Sequence, residues 1–136
     1  MVRYYLDTSV AYHALVGTPS AAAWFDTVDA ESPGSLISSR LLRTELTRAL
    51  RRDGTPVSDR DAVLDHVAHI PITEAILVSA EAITEHVKTL DAIHLSSALA
   101  LGDDVVVVTH DENLRRVAEL LGLAVLDPIE ADRADE

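Results

Sequence analysis

No cysteine occurs in the 136 residues, which excludes disulfides, thiolate metal sites and a cysteine nucleophile. The absence also fits a reducing cytosol. Aromatic residues make up 4% of the chain, too few for a base-stacking platform. Apolar runs such as Val105–Val108 and Ala75–Val78 fall far short of the ~20 residues a membrane helix needs. Met1 to Leu6 runs straight into Asp7 without the apolar core of a signal peptide, so a cytoplasmic protein with no membrane partner is expected. Positive charge is scarce: 11 Lys and Arg face 23 Asp and Glu, and the net charge of -12 opposes phosphate binding.

What is present argues for one folded domain. Hydrophobic residues make up 48% and mean hydropathy is +0.15, which excludes a disordered chain. A domain of this size buries roughly 68% of its unfolded surface. The few cations are also concentrated. Arg40, Arg43, Arg48, Arg51 and Arg52 fall in one stretch that holds a single acid, Glu45.

Strand and helix signals alternate. Val2–Leu6 reads as a strand and Thr8–Val16 as a helix stopped by Gly17. Thr18-Pro19 opens the next helix, which ends near Ser32-Pro33-Gly34. Ser35–Ser38 is a short strand, and Arg40–Arg52 a helix closed by Asp53-Gly54. Ser58 is expected to cap a helix from Asp59 to about Ala68, before an extended piece at His69–Thr73. Helical spacing returns over Glu74–Val87 and Asp91–Leu101. The four valines Val105–Val108 mark a strand buried on both faces. Helix Asp111–Leu121 and strand Leu123–Leu126 follow. The alternation predicts an α/β fold with a central parallel sheet flanked by helices.

In such sheets ligands bind beyond the carboxyl ends of the strands. Asp7 directly follows the first strand, and Asp111 follows Val105–Val108 after Thr109 and His110. Asp91 opens the helix Asp91-Ala92-Ile93-His94-Leu95. At ~100° per residue, Leu42, Leu46, Ala49 and Leu50 form one arc of their helix, and Arg40, Arg43, Arg48 and Arg51 the opposite one. Glu45 falls at the border, where a side chain can enter a cleft. Taken singly, each Asp would serve as an N-cap, and Glu45 would pair with Arg48 or Arg52. The joint pattern favours one acidic site.

Unit charges ~5 Å apart repel by roughly 3 kcal/mol at an effective dielectric near 20. Clustered carboxylates therefore protonate or take up a cation. Oxygen ligands suit Mg²⁺ or Mn²⁺, and ions so held clamp a phosphodiester and activate water. Metal-assisted phosphodiester hydrolysis is the expected chemistry.

Leu6-Asp7-Thr8-Ser9, Arg43-Thr44-Glu45-Leu46, Leu90-Asp91-Ala92-Ile93-His94-Leu95-Ser96-Ser97-Ala98-Leu99 and Val108-Thr109-His110-Asp111-Glu112-Asn113-Leu114 together resemble the PIN-domain family, and within it the VapC-type toxins of bacterial toxin–antitoxin pairs. The resemblance runs to about Asp127, so residues 1–127 are expected to form a PIN-like nuclease domain, with 128–136 a flexible acidic tail. It implies an α/β sandwich and a Mg²⁺- or Mn²⁺-dependent endoribonuclease. Asp7, Glu45, Asp91 and Asp111 would hold the metal and catalyse, supported by Ser9 and Thr109. Structured RNA such as tRNA or rRNA would be the substrate, a VapB-like antitoxin the neutralising partner, and a homodimer the working form.

Arg40, Arg43, Arg48 and Arg51 could meet RNA phosphates or the antitoxin, or form only a solvated helix face. The six histidines are scattered without a zinc pattern, and His94 is expected to pack below Asp91. Trp24 and Phe25 are expected to fill core or dimer interface. Other phosphoryl-transfer folds fit worse. Ser9 stands where a HAD-type phosphatase needs a second Asp, the only lysine, Lys88, is misplaced for a receiver domain, and no P-loop motif occurs. The remaining alternative is a PIN-like binding module without catalysis.

Overall fold

The computed structural model describes residues 1–129. Five strands form a single parallel sheet in the order β3-β2-β1-β4-β5. They are β1 (Arg3–Leu6), β2 (Leu36–Ser39), β3 (Ala68–Ile70), β4 (Val105–Val108) and β5 (Ala124–Leu126). The connecting helices are α1 (Thr8–Leu15), α2 (Pro19–Glu31), α3 (Leu41–Asp53), α4 (Asp61–Leu64), α5 (Glu74–Glu81), α6 (Thr89–Leu99) and α7 (Glu112–Leu120). A 3-10 turn, Val57–Arg60, precedes α4. Among the described residues no helix is long and apolar enough to cross a membrane.

Strand alternation decides which helices cover which face. Leu6, Leu36 and Val108 point to one side, where Val10, Phe25, Leu42, Leu46 and Val63 of α1 to α4 pack on them. Tyr5, Ile37, Val105 and Val107 point to the other side, against Ala98 of α6. A second cluster there joins Leu95 of α6 to Leu114, Val117 and Ala118 of α7. Each such apolar side chain contributes about 1.5–3 kcal/mol on full burial. Both faces of β4 are covered, which is why it reads as unbroken valine. Phe25 is core, and Trp24 packs against that core with its ring edge-on to Tyr4 at 5.5 Å.

Two expected helices are shorter than their patterns. Asp59–Ala68 breaks into the 3-10 turn and the single turn of α4, and Ser58 lies inside the turn instead of capping a helix. The break follows from pairing, because Ala68 is taken into the sheet opposite Ile37. Glu74–Val87 ends as helix at Glu81. Beyond it, Ile83 and Val87 leave the helical path and pack on the Leu95–Leu114 cluster. In both cases tertiary contact outweighs local propensity. Helix α3 ends as expected, with Gly54 at φ +69 donating to the Arg51 carbonyl. That left-handed cap favours glycine.

Pro128 and Ile129, expected in the tail, are buried. The rest of the expected acidic tail, residues 130–136, lies outside the described residues.

Candidate active site

β1 and β4 are neighbours, with Leu6 opposite Val108, so the residues that follow them share one rim of the sheet. Asp7 occupies the N-cap position of α1 but makes no side-chain cap bond. It is 5% exposed, and its Oδ2 accepts hydrogen bonds from Ser9 Oγ at 2.8 Å and Thr109 Oγ1 at 2.9 Å. Both hydroxyls are themselves oriented. Ser9 Oγ accepts from the His110 backbone N–H at 3.0 Å, and Thr109 Oγ1 from that of Asp111 at 3.0 Å. The loop after β4 is thereby tied to the end of β1.

Glu45 enters from α3. Its Oε1 accepts from Thr8 Oγ1 at 2.8 Å and meets His94 Nε2 at 2.6 Å. Burial alone would push this carboxyl up. The hydrogen bond from His94, its charge and the Thr8 hydroxyl outweigh burial and hold it below the usual range. His94 shows the complementary shift. Burial disfavours its cation, but the hydrogen bond to Glu45, with the nearby Tyr5 and Asp7, raises it well above the ordinary imidazole value. The two form a part-buried ion pair, with Asp7 Oδ1 3.9 Å from the same nitrogen.

Asp91 does not open its helix as expected. α6 starts at Thr89 after Lys88, which puts Asp91 in the first turn. It makes no side-chain hydrogen bond among the described residues. Its carboxyl is pushed up to about 6, first by burial and then by the charges of Asp7, Asp111 and Glu45, with His94 opposing. Asp111 is the one expected cap that does cap: its Oδ1 accepts from the Leu114 N–H at 2.9 Å.

Asp7, Glu45 and Asp111 thus share a feature. Each has one carboxylate oxygen that accepts from neighbouring donors, while Asp7 Oδ1 lies 3.9 Å from His94 Nε2. All three donor groups are oxygen carboxylates, the chemistry a hard divalent cation takes. Among the described residues, however, no three His, Asp or Glu side chains already stand as a set that could hold one ion.

The arginines separate. Arg48 shares an open cleft of about 480 Å³ with Glu45, Thr8, Ala49 and Leu90. Arg52, outside the expected set, lines the same cleft, braced by Asp53 at 3.1 Å and lying over the Tyr12 ring. Arg40 and Arg43 line a different cleft with Arg60 and His69, and Arg51 lines neither. His94, expected to pack below Asp91, has partners that the sequence does not foretell. The sequence places it in an apolar helix, and its partners Tyr5 and Glu45 lie 89 and 49 positions away.

Residues 4–120 match the sequence profile of the PIN domain. The chain is 34% identical over 133 residues to Ribonuclease VapC46 of Mycobacterium tuberculosis, covering 94% of this chain and 99% of that protein. Ribonuclease VapC35 of the same organism is 32% identical over 134 residues, covering 93% and 98%. In fold, the chain superposes on a chain of the DNA-bound VapBC structure from Salmonella typhimurium with a TM-score of 0.72 at 18% identity, covering 94% of this chain and 99% of that one. The chain belongs to the PIN domain family, in the group that holds the VapC ribonucleases.

Proposed function

We propose that this chain is a divalent-metal-dependent endoribonuclease, the toxin half of a VapBC-like pair, cutting structured RNA such as tRNA or rRNA and neutralised by a VapB-like antitoxin. The observation that carries the reading is the meeting of acids from separate elements at one rim: Thr109 Oγ1 links Asp7 to the Asp111 amide, and His94 Nε2 joins Glu45 to Asp7. His94, paired with Glu45 and 3.9 Å from Asp7, offsets only part of this acidic charge. The names of the relatives supply the reaction class, since VapC46 and VapC35 are ribonucleases.

Asp7, Glu45, Asp91 and Asp111 would hold Mg²⁺ or Mn²⁺ through their oxygens. When bound, the ion supplies Lewis-acid stabilisation of the phosphodiester and lowers the pKa of water. The protein's own part is orientation. Ser9 and Thr109 hold Asp7, and Thr8 and His94 hold Glu45, so that little reorganisation is needed when substrate arrives. Arg48 and Arg52 beside Glu45 would meet RNA phosphates and offset the net charge of -12 locally. By family resemblance the working form is a homodimer in the cytoplasm.

The test is cleavage of a structured-RNA pool by the purified protein with Mn²⁺ or Mg²⁺ and with chelator. Discrete fragments that require metal and vanish in Asp7→Asn are expected. Equal fragments with chelator, or undiminished cleavage by Asp7→Asn, would sink the reading.

A further inference from the structure

His94 and Tyr5 form a buried pair that core packing alone does not call for. His94 is 1% exposed and Tyr5 0%. Burying an imidazole and a phenol is costly unless their polar atoms are paired. Here Tyr5 Oη lies 2.7 Å from His94 Nδ1, and His94 Nε2 lies 2.6 Å from Glu45 Oε1. The pair therefore leads from beneath the sheet to one carboxylate of the acidic site.

The direction of the chain follows from donor and acceptor chemistry. An ionised carboxylate only accepts, so Nε2 must carry a proton and donate it to Glu45. This holds for a neutral ring, with Tyr5 donating to Nδ1, and for a charged ring donating at both nitrogens. Thr8 and His94 both act on Oε1, so Glu45 is left with Oε2 as its ligand oxygen.

We propose that His94 is a positioning residue for Glu45: anchored by the Tyr5 hydroxyl, its Nε2–H fixes one carboxylate oxygen and leaves the other for the divalent cation. The inference rests on the metal-nuclease reading above. It requires of His94 what a volume-filling residue would not supply, an N–H at the Nε2 position.

Two measurements test it. In metal-free protein, nitrogen-edited NMR should show a proton on His94 Nε2, shifted downfield by the carboxylate and moving upfield in Glu45→Gln. An Nε2 without a proton overturns the proposal whatever the protein does with metal. Calorimetric Mn²⁺ titration should then show a ~10- to 100-fold loss of affinity in His94→Leu. Most of it should return in His94→Gln, whose amide N–H reaches near the Nε2 position. A folded His94→Leu that binds Mn²⁺ as the parent does overturns the proposal. If His94→Leu does not fold, Tyr5→Phe keeps both rings and removes only the anchor; a weaker Mn²⁺ affinity is expected there, and parental affinity overturns it. A parent that takes up no Mn²⁺ sinks the metal reading, and the nitrogen spectrum still decides the position of His94.

Discussion

Thr109 Oγ1 donates to Asp7 Oδ2 at 2.9 Å across 102 positions of sequence, and Thr109 Oγ1 itself accepts from the Asp111 N–H. One buried side chain thereby joins two of the four acids. Replacing it with the isosteric valine takes one of two hydroxyl donors from Asp7 Oδ2, which keeps Ser9, and leaves the Asp111 amide without its acceptor. Thr109→Val should lower unfolding free energy by about 1–3 kcal/mol, the cost of a buried group left unpaired. Thr109→Ser should recover most of it. Urea unfolding of the three proteins checks the order.

Asp91 gives a pH dependence of defined sign. Its folded pKa of about 6 lies above the ordinary 3.8. The folded state therefore keeps this proton to higher pH than the unfolded chain does. Its contribution is fully present below about pH 4 and is lost as pH rises through about 6. In chelator, Asp91→Asn should stabilise the protein at pH 8 and leave it unchanged near pH 4. The side chain is part-exposed, so the gain is discounted to on the order of 1 kcal/mol. Paired denaturation curves at the two pH values test it.

Cation uptake should release protons for the same reason. At pH 6 Asp91 is about half protonated in the free protein, and binding must displace that proton. Calorimetry with Mn²⁺ in buffers of different ionisation enthalpy should show more proton release at pH 6 than at pH 8. Asp91→Asn should remove the difference. Equal release in parent and variant would contradict the assignment of Asp91 as a ligand.

Arg48 lines the cleft of Glu45, whereas Arg51, one turn further along α3, lines no cleft with it. In an Asp7→Asn background, which binds without cutting, Arg48→Ala should weaken RNA affinity and reduce the log–log salt slope by about 1. Arg51→Ala should change neither. Fluorescence anisotropy over a salt series reads both quantities, and equal effects would return the arginines to a uniform electrostatic face.

The framework of this candidate site is legible in the sequence because its signals are local. Asp7 stands directly after, and Asp111 two residues beyond, runs whose composition declares them strands, and a parallel sheet sends such ends to one rim. The rest depended on contacts that no local pattern carries. His94 sits among Ala92, Ile93 and Leu95, and periodicity makes it another core residue; its hydrogen bonds come from β1 and α3. A wheel for α3 groups Arg43, Arg48 and Arg51 together, but only packing against Thr8 and Leu90 decides which flank opens on the site. The expected helix to Ala68 failed for a related reason, because the sheet edge at Ile37 captured its last residue.

The central place of β1 sets an order of assembly. β1 is synthesised first, yet its partner β4 begins only at Val105. Asp7, Glu45 and Asp91 are all made before that strand exists, and Thr109 and Asp111 come after it. On the ribosome the site therefore has no closing element until most of the chain has emerged, and long-range parallel pairing is among the slower steps of folding. A chain released before Val105 carries three of the four acids but lacks the strand that aligns them. Closure of the rim between β1 and β4 thus waits on the last strands to be made.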